Sequence, residues 1–163
     1  MNDRTLCFLV RGNPPTEVLL GLKKTGFGAG KYAGFGGKVE ASETVEAAAV
    51  RELEEEAGIK ISTSELCPIG RLTFLFPSKP NWDQIVHVFL VQEWTGDPQE
   101  SDEMRPVWSK VDALPFEGMW DDAHYWLPLI LQGKSIDARF VYNDDNETVG
   151  KAEINEWNGH STR

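Results

Sequence analysis

Apolar residues along this chain fall into short runs separated by turn-forming clusters, and the spacing within each run sets the expected element. Residues 6–11 and 17–23 are β-compatible runs joined by Gly12-Asn13-Pro14-Pro15-Thr16, which predicts a hairpin. Residues 26–37 hold six glycines in twelve positions and predict a loop. Over residues 44–57, Val50, Leu53 and Ala57 recur at i, i+3 and i+7 and predict a helix with one apolar face. Ser42 or Thr44 can cap its start, and Gly58 can end it. Residues 66–76 and 84–94 predict two longer strands around a Pro/Ser/Asn loop, and residues 106–111 a further short strand. Residues 121–132 predict a second helix, with Asp121 and Asp122 suited to its first turn and Pro128 set to delay or kink it. Residues 137–142 and 149–157 predict a closing hairpin. Strands outnumber helices, so the expected class is α+β, a mixed sheet with helices packed on it. The expected organisation is one domain over residues 1–157 and a frayed tail over 158–163.

The first helix changes the picture, because its second half reads Arg51-Glu52-Leu53-Glu54-Glu55-Glu56-Ala57-Gly58. At about 100° per residue, Glu52, Glu55 and Glu56 share one narrow arc, with Leu53 on the apolar side. A charge run is usually a solvated face. Here it is costly, since like charges at these spacings oppose the helix by about 0.2–0.5 kcal/mol per pair and sit at the end where the dipole repels anions. Only Arg51 stands near enough to offset them. Three converging carboxylates are what a hard divalent cation requires.

The whole chain carries 16 Lys+Arg against 26 Asp+Glu, a net charge of −10 over 163 residues. Such acidity disfavours a nucleic-acid polymer or a polybasic membrane anchor as partner. Residues 6–10 are too short an apolar run for a signal peptide, and no run approaches the roughly 20 residues of a membrane span. Cys7 and Cys67 form no metal or disulfide framework and are expected reduced, which suggests a cytoplasmic protein. The glycine-rich stretch is no P-loop, because Gly30-Lys31 is followed by Tyr32 and no glycine stands five residues earlier.

From Gly37 the chain runs five residues to Glu43, seven to Arg51-Glu52-Leu53, one to Glu55-Glu56 and one to Gly58-Ile59. This spacing resembles the signature of the Nudix hydrolases at every defined position. The resemblance implies the Nudix fold, a mixed sheet sandwiched between helices. It also implies a metal-dependent hydrolase of diphosphates linked to a nucleoside or other organic group. Glu52, Glu55 and Glu56 would then be catalytic, and these three with the Gly36 carbonyl and Glu103 would ligate Mg²⁺ or Mn²⁺. Glu56 is expected as a ligand, with Glu52 and Glu55 sharing ligand and base roles; which of them acts as base stays open. Gly37, Glu43, Arg51 and Gly58 would be structural.

The likeness extends further. Gly21-Leu22-Lys23-Lys24-Thr25-Gly26-Phe27-Gly28-Ala29-Gly30-Lys31, Ser101-Asp102-Glu103-Met104-Arg105-Pro106, and Met119-Trp120-Asp121-Asp122 with Tyr125-Trp126 are similar to the MutT-type oxidised purine nucleoside triphosphatases. That resemblance implies a substrate site of Lys23, Phe27, Gly37, Lys38, Phe74, Trp120 and Asp122, acting on 8-oxo-dGTP-like nucleotides to release a monophosphate and pyrophosphate. The expected partner is a small nucleotide and the expected state a monomer. Three positions depart from the group: Ala33 replaces an Asn, Ala123 an Asp and Phe8 a Thr. Asn and Asp read a purine edge, so weakened base discrimination is expected. His87 and His124 are expected to be structural and superficial respectively. ADP-ribose, methylated purine nucleotides and dinucleoside polyphosphates are rival substrates, and a non-catalytic binding module is the rival outside enzymes.

Overall fold

The computed structural model describes residues 1–157, so the expected tail at 158–163 lies outside the described residues. Eight strands and two helices follow in the order β1 (Asn2–Arg11), β2 (Glu17–Lys23), β3 (Tyr32–Ala33), α1 (Val45–Ala57), β4 (Cys67–Leu75), β5 (Gln84–Val91), β6 (Met104–Lys110), α2 (Ala123–Leu131), β7 (Ile136–Tyr142) and β8 (Val149–Glu156). The sheet order is β3-β2-β1-β5-β4-β7-β8, with β6 paired to β2. Strands β1 and β5 are parallel, as are β4 and β7, while β4–β5, β7–β8 and β2–β6 are antiparallel. The mixed sheet expected from the strand pattern is therefore present.

Two-residue alternation sorts the strand side chains into two cores. Phe8 and Val10 of β1, Val86, Val88 and Leu90 of β5, and Ile136, Ala138 and Phe140 of β7 face α2. Cys7 and Leu9 of β1 and Phe89 and Val91 of β5 face α1, where Ala49, Leu53 and Ala57 meet them. Strand β1 is thus apolar on both faces because it lies between two helical layers. This is the helix–sheet–helix sandwich.

Some expectations need adjusting. The first hairpin is brief: β1 and β2 pair only at Val10–Val18 and Arg11–Glu17. Strand β1 then runs beside β5 for eight residues, and β2 pairs along its whole length with β6. Pro106 is tolerated in β6 because that strand pairs on one side, with β2. Helix α1 is capped as expected, with Thr44 accepting from the Ala47 N–H at 3.0 Å and Gly58 in the left-handed region at φ 69°. Helix α2 begins at Ala123 rather than Asp121 and continues through Pro128. Cys7 is buried and free, and burial pushes its thiol up to about 12; Cys67 is exposed and free, not packed as a small apolar residue. His87 stands 3.0 Å from Asp3 on the β1–β5 ladder, and His124 is exposed on α2. No helix among the described residues is long and apolar enough to cross a membrane.

Candidate active site

One cavity, with about 930 Å³ of empty volume including its open mouth, runs from the glycine loop to the start of α2. One end is polar: Arg4, Thr5, Lys23, Gly36, Gly37 and Glu56 line it. The other end is aromatic, with Phe27, Phe74, Phe76, Trp120, Trp126 and Tyr142, and Asp122 is set among them.

At the polar end, segment 34–37 lies against β1. The Thr5 N–H donates to the Gly37 carbonyl at 2.8 Å, and the Phe35 and Cys7 amides exchange bonds with each other's carbonyls. A Cβ on Gly36 would fall 1.8 Å from the Thr5 carbonyl oxygen, and one on Gly37 would fall 2.2 Å from a Glu52 carboxylate oxygen. At Gly36 only glycine permits this approach to the β1 backbone, whereas a side chain at Gly37 would have to push the Glu52 carboxylate aside. The Gly36 N–H then donates to Glu56 Oε1 at 2.8 Å.

Glu56 is 2 % exposed, and burial pushes its carboxyl up to about 8, against the pull of the Gly36 N–H. Glu52 is raised too, chiefly by burial. Glu55 is half-exposed. The three carboxylates therefore do not converge on one point, and among the described residues no three Asp, Glu, His or Cys side chains stand grouped for a metal ion. The physical reason is Arg51. It donates to Glu43 at 2.5 and 3.0 Å, to Glu52 at 3.2 Å, to Glu55 at 3.3 Å and to the Lys38 carbonyl at 3.2 Å. One guanidinium thus gathers two of the triad acids with Glu43, which also accepts from the Glu40 N–H at 2.9 Å. Glu56 keeps the Gly36 N–H and forms no ion pair among the described residues.

The donor set still fits a hard cation. A buried acid without an ion pair, a half-buried second acid and a close backbone segment supply oxygen ligands where positive charge is short. Glu103 is exposed just before β6, and its charge adds the smallest share to the upward shifts that burial chiefly causes at Glu52 and Glu56. Lys23 lines the cavity and its charge opposes that shift at Glu56. Lys38 is exposed and lies outside the cavity wall; it contributes its backbone, bridged to Arg4 and bonded to Arg51. Gly58 caps α1.

At the aromatic end, Phe27 stacks on Trp120 at 5.2 Å between centroids and meets Trp82 edge-on at 5.0 Å. Phe74 stacks on Phe140. Asp122 is 5 % exposed, and its two oxygens accept from Tyr142 Oη and from Trp126 Nε1, the latter at 2.7 Å. Phe8 and Ala33 line the cavity, whereas Ala123 is 3 % exposed within the α2 core.

The model of the NUDIX domain matches residues 2–130. The chain belongs to the Nudix family. Among its relatives in that family, the oxidized purine nucleoside triphosphate hydrolase of Mus musculus is 44% identical over 146 residues, covering 90% of this chain and 92% of the relative. The protein of the same description from Danio rerio is 51% identical over 135 residues, covering 83% and 85%. The solved MutT protein of Bacillus halodurans is similar with a TM-score of 0.77 and 22% identity, covering 95% of this chain and 98% of that one, a likeness of fold. The Nudix hydrolase expected from the box spacing is thereby supported as an enzyme of this family.

Arg4, Phe76, Trp126 and Tyr142 are among the cavity residues that the sequence did not mark as part of a site. Arg4 sits at the polar end, where burial holds its guanidinium below the ordinary value against the opposing pull of Glu52 and Glu56. A lone Arg four residues from the N-terminus carries no spacing signal. Phe76 and Trp126 resemble ordinary core aromatics. Tyr142 ends a strand whose alternation marks it only as inward-facing.

Proposed function

We propose that this chain is a divalent-metal-dependent nucleoside triphosphate pyrophosphohydrolase that acts on oxidised purine nucleotides, with 8-oxo-dGTP as the representative substrate. Nucleoside monophosphate and pyrophosphate are the products. The observation that carries the reading is one cavity with a buried, unpaired Glu56 at its polar end and stacking aromatics at the other. A nucleotide has the same polarity, a polyphosphate at one end and a flat base at the other. The names of the mouse and zebrafish relatives supply the substrate class.

In this reading Glu56, Glu52 and the Gly36 carbonyl hold the ion, Mg²⁺ or Mn²⁺, and Glu55 and Glu103 complete its surroundings. Bound there, the ion supplies neutralisation of the phosphate chain and acidification of the attacking water. Arg51 restrains Glu52 and Glu55 by holding them beside Glu43. Either acid, so held, is placed to take a proton from the water that attacks phosphorus. Lys23 and Arg4 face the phosphates as fixed cations, and Phe27, Trp120 and Phe74 offer the base a stacking surface worth roughly 1–3 kcal/mol. The reading includes a single domain over residues 1–157 that works as a monomer on free nucleotides in the cytoplasm.

The test is a panel of 8-oxo-dGTP, 2-oxo-dATP, dGTP, dATP and ADP-ribose with Mg²⁺, for the wild type and Glu56→Gln. Pyrophosphate release from oxidised purine triphosphates is expected, and the variant should be inactive yet folded. With alanine or phenylalanine at positions 33, 123 and 8, the preference for 8-oxo-dGTP over dGTP should be modest. Near-normal pyrophosphate release by Glu56→Gln would overturn the assignment, and turnover of ADP-ribose alone would replace the substrate class.

A further inference from the structure

Asp122 has neither of the roles expected of an acid at a helix start. Its side chain makes no cap to the α2 amides. It is instead clamped from both sides, with Trp126 Nε1 donating to one oxygen at 2.7 Å and Tyr142 Oη to the other. The Tyr142 hydroxyl also receives the backbone N–H of Asp122 at 3.4 Å. The three side chains line the cavity together, and all are at most 5 % exposed.

The fold aims Tyr142 there deliberately. Alternation along β7 turns Ile136, Ala138, Phe140 and Tyr142 inward. The β7–β8 register shifts at Tyr142, which pairs with Val149 while Val141 pairs with Lys151, leaving Gly150 as the extra residue. A Cβ on Gly150 would lie 2.3 Å from the Asn143 amide oxygen, so any larger residue in the bulge would have to turn the Asn143 side chain aside. The phenol ring stacks on Phe76 at 4.7 Å and meets Trp120 edge-on at 6.0 Å. The neighbouring Asp121 accepts from the Val149 N–H at 2.8 Å, so the same hairpin grips two successive residues after Trp120.

We propose that Tyr142 is a specificity-determining positioning residue, whose hydroxyl, with the Trp126 indole, fixes the rotation of the Asp122 carboxylate so that it meets the edge of a base in one orientation. A carboxylate oxygen has two lone-pair directions, and each Asp122 oxygen spends one on the clamp. The remaining directions can accept only from base N–H groups lying in the carboxylate plane. With Ala33 in the cavity wall and Ala123 withdrawn into the core, Asp122 is the one carboxylate among the described residues at the aromatic end of the cavity. Its orientation therefore decides what base discrimination this site retains. The inference rests on the purine-nucleotide reading above.

The experiment compares wild type, Tyr142→Phe, Asp122→Asn and the double variant on 8-oxo-dGTP, 2-oxo-dATP, dGTP and dATP, resolving kcat from KM. Binding of the corresponding monophosphates, followed by tryptophan fluorescence in the absence of metal, gives a readout independent of turnover. Tyr142→Phe should cut the kcat/KM ratio between the best and worst purine by roughly tenfold, the scale of one hydrogen bond to a charged group. The loss should fall on KM for the best substrate and appear equally in monophosphate affinity. On the Asp122→Asn background, the same change should add nothing further. Equal losses on all four substrates, or additive losses in the double variant, would make Tyr142 merely structural and overturn the proposal. Should Tyr142→Phe not fold, Trp126→Phe frees the other oxygen and is judged by the same ratio. Absence of turnover on every triphosphate would instead sink the substrate reading, a different outcome from turnover with unchanged selectivity.

Discussion

A buried carboxylate with two donors is a compromise between opposing forces. For Asp122, burial raises the carboxyl above its ordinary value near 3.8, and the Trp126 and Tyr142 donors pull it back without cancelling the shift. The folded chain therefore holds this proton more tightly than the unfolded chain. Stability from the group is complete below the ordinary value and is lost as pH rises through the elevated one. Glu43, Glu100 and Asp145, each lowered by hydrogen bonds, give the opposite slope, so the total curve does not isolate Asp122. The difference between wild type and Asp122→Asn does. Thermal melts from pH 4 to 8 should show the wild type losing ground steadily to the variant as pH rises. A difference that stays flat across that range would mean Asp122 is ionised in the folded state at no cost.

At the scale of elements, α1 joins good caps to a poor charge pattern. Thr44 and Gly58 close its ends, but its last turn has no basic residue. Glu54 adds to that burden while exposed and outside the defined positions of the Nudix spacing. Glu54→Lys should raise stability in EDTA by about 0.5 kcal/mol through the helix dipole, read as a higher urea midpoint, and leave turnover as it was. A lower midpoint would show that Glu54 is held by Arg51 in solution. Elements like this one were legible in the chain because their causes are local: a cap, a terminal glycine, a period of 3.6. Alternation in β7 and the turn before β2 were legible for the same reason. What the sequence did not reveal depends on distant partners. Asp121 and Asp122 look like first-turn anions, yet Val149 and Tyr142 claim them from 28 and 20 residues away. Strand β2 leaves β1 after two pairs and runs along β6, because the segment at Phe35 and Lys38 takes the rest of that edge of β1. In the site, the box spacing located Glu52, Glu55 and Glu56 on α1. It could not tell that Arg51 would hold two of them apart from the third, nor that Arg4 would face them across the cavity.

Charge on the whole molecule is uneven, and that unevenness links stability to metal. Residues 37–59 contain seven Glu and two Lys or Arg, a net of −5 out of −10. Bulk salt screens exposed charges over about 8–10 Å and reaches buried groups poorly. Glu56 is buried and Glu52 half-buried, so sodium chloride should relieve little of their cost. A divalent ion that binds only the folded chain stabilises it by about 2.7 kcal/mol at a hundredfold excess over Kd. For a chain of this size, that corresponds to a rise in Tm of roughly 5–10 °C. Melting in EDTA, in EDTA with sodium chloride, and in Mg²⁺ at matched ionic strength separates screening from site binding. The Mg²⁺ sample should melt highest, EDTA treatment should reverse the gain, and Glu56→Gln should lose most of it while melting no lower than wild type in EDTA. The last comparison discriminates, because burial already pushes the Glu56 carboxyl up to about 8, so a neutral amide costs the metal-free fold little, whereas removing a ligand weakens the loaded one. If Mg²⁺ raised Tm no further than sodium chloride, the acidity of α1 would be a solvated surface after all, and the metal-dependent mechanism would lose its physical basis.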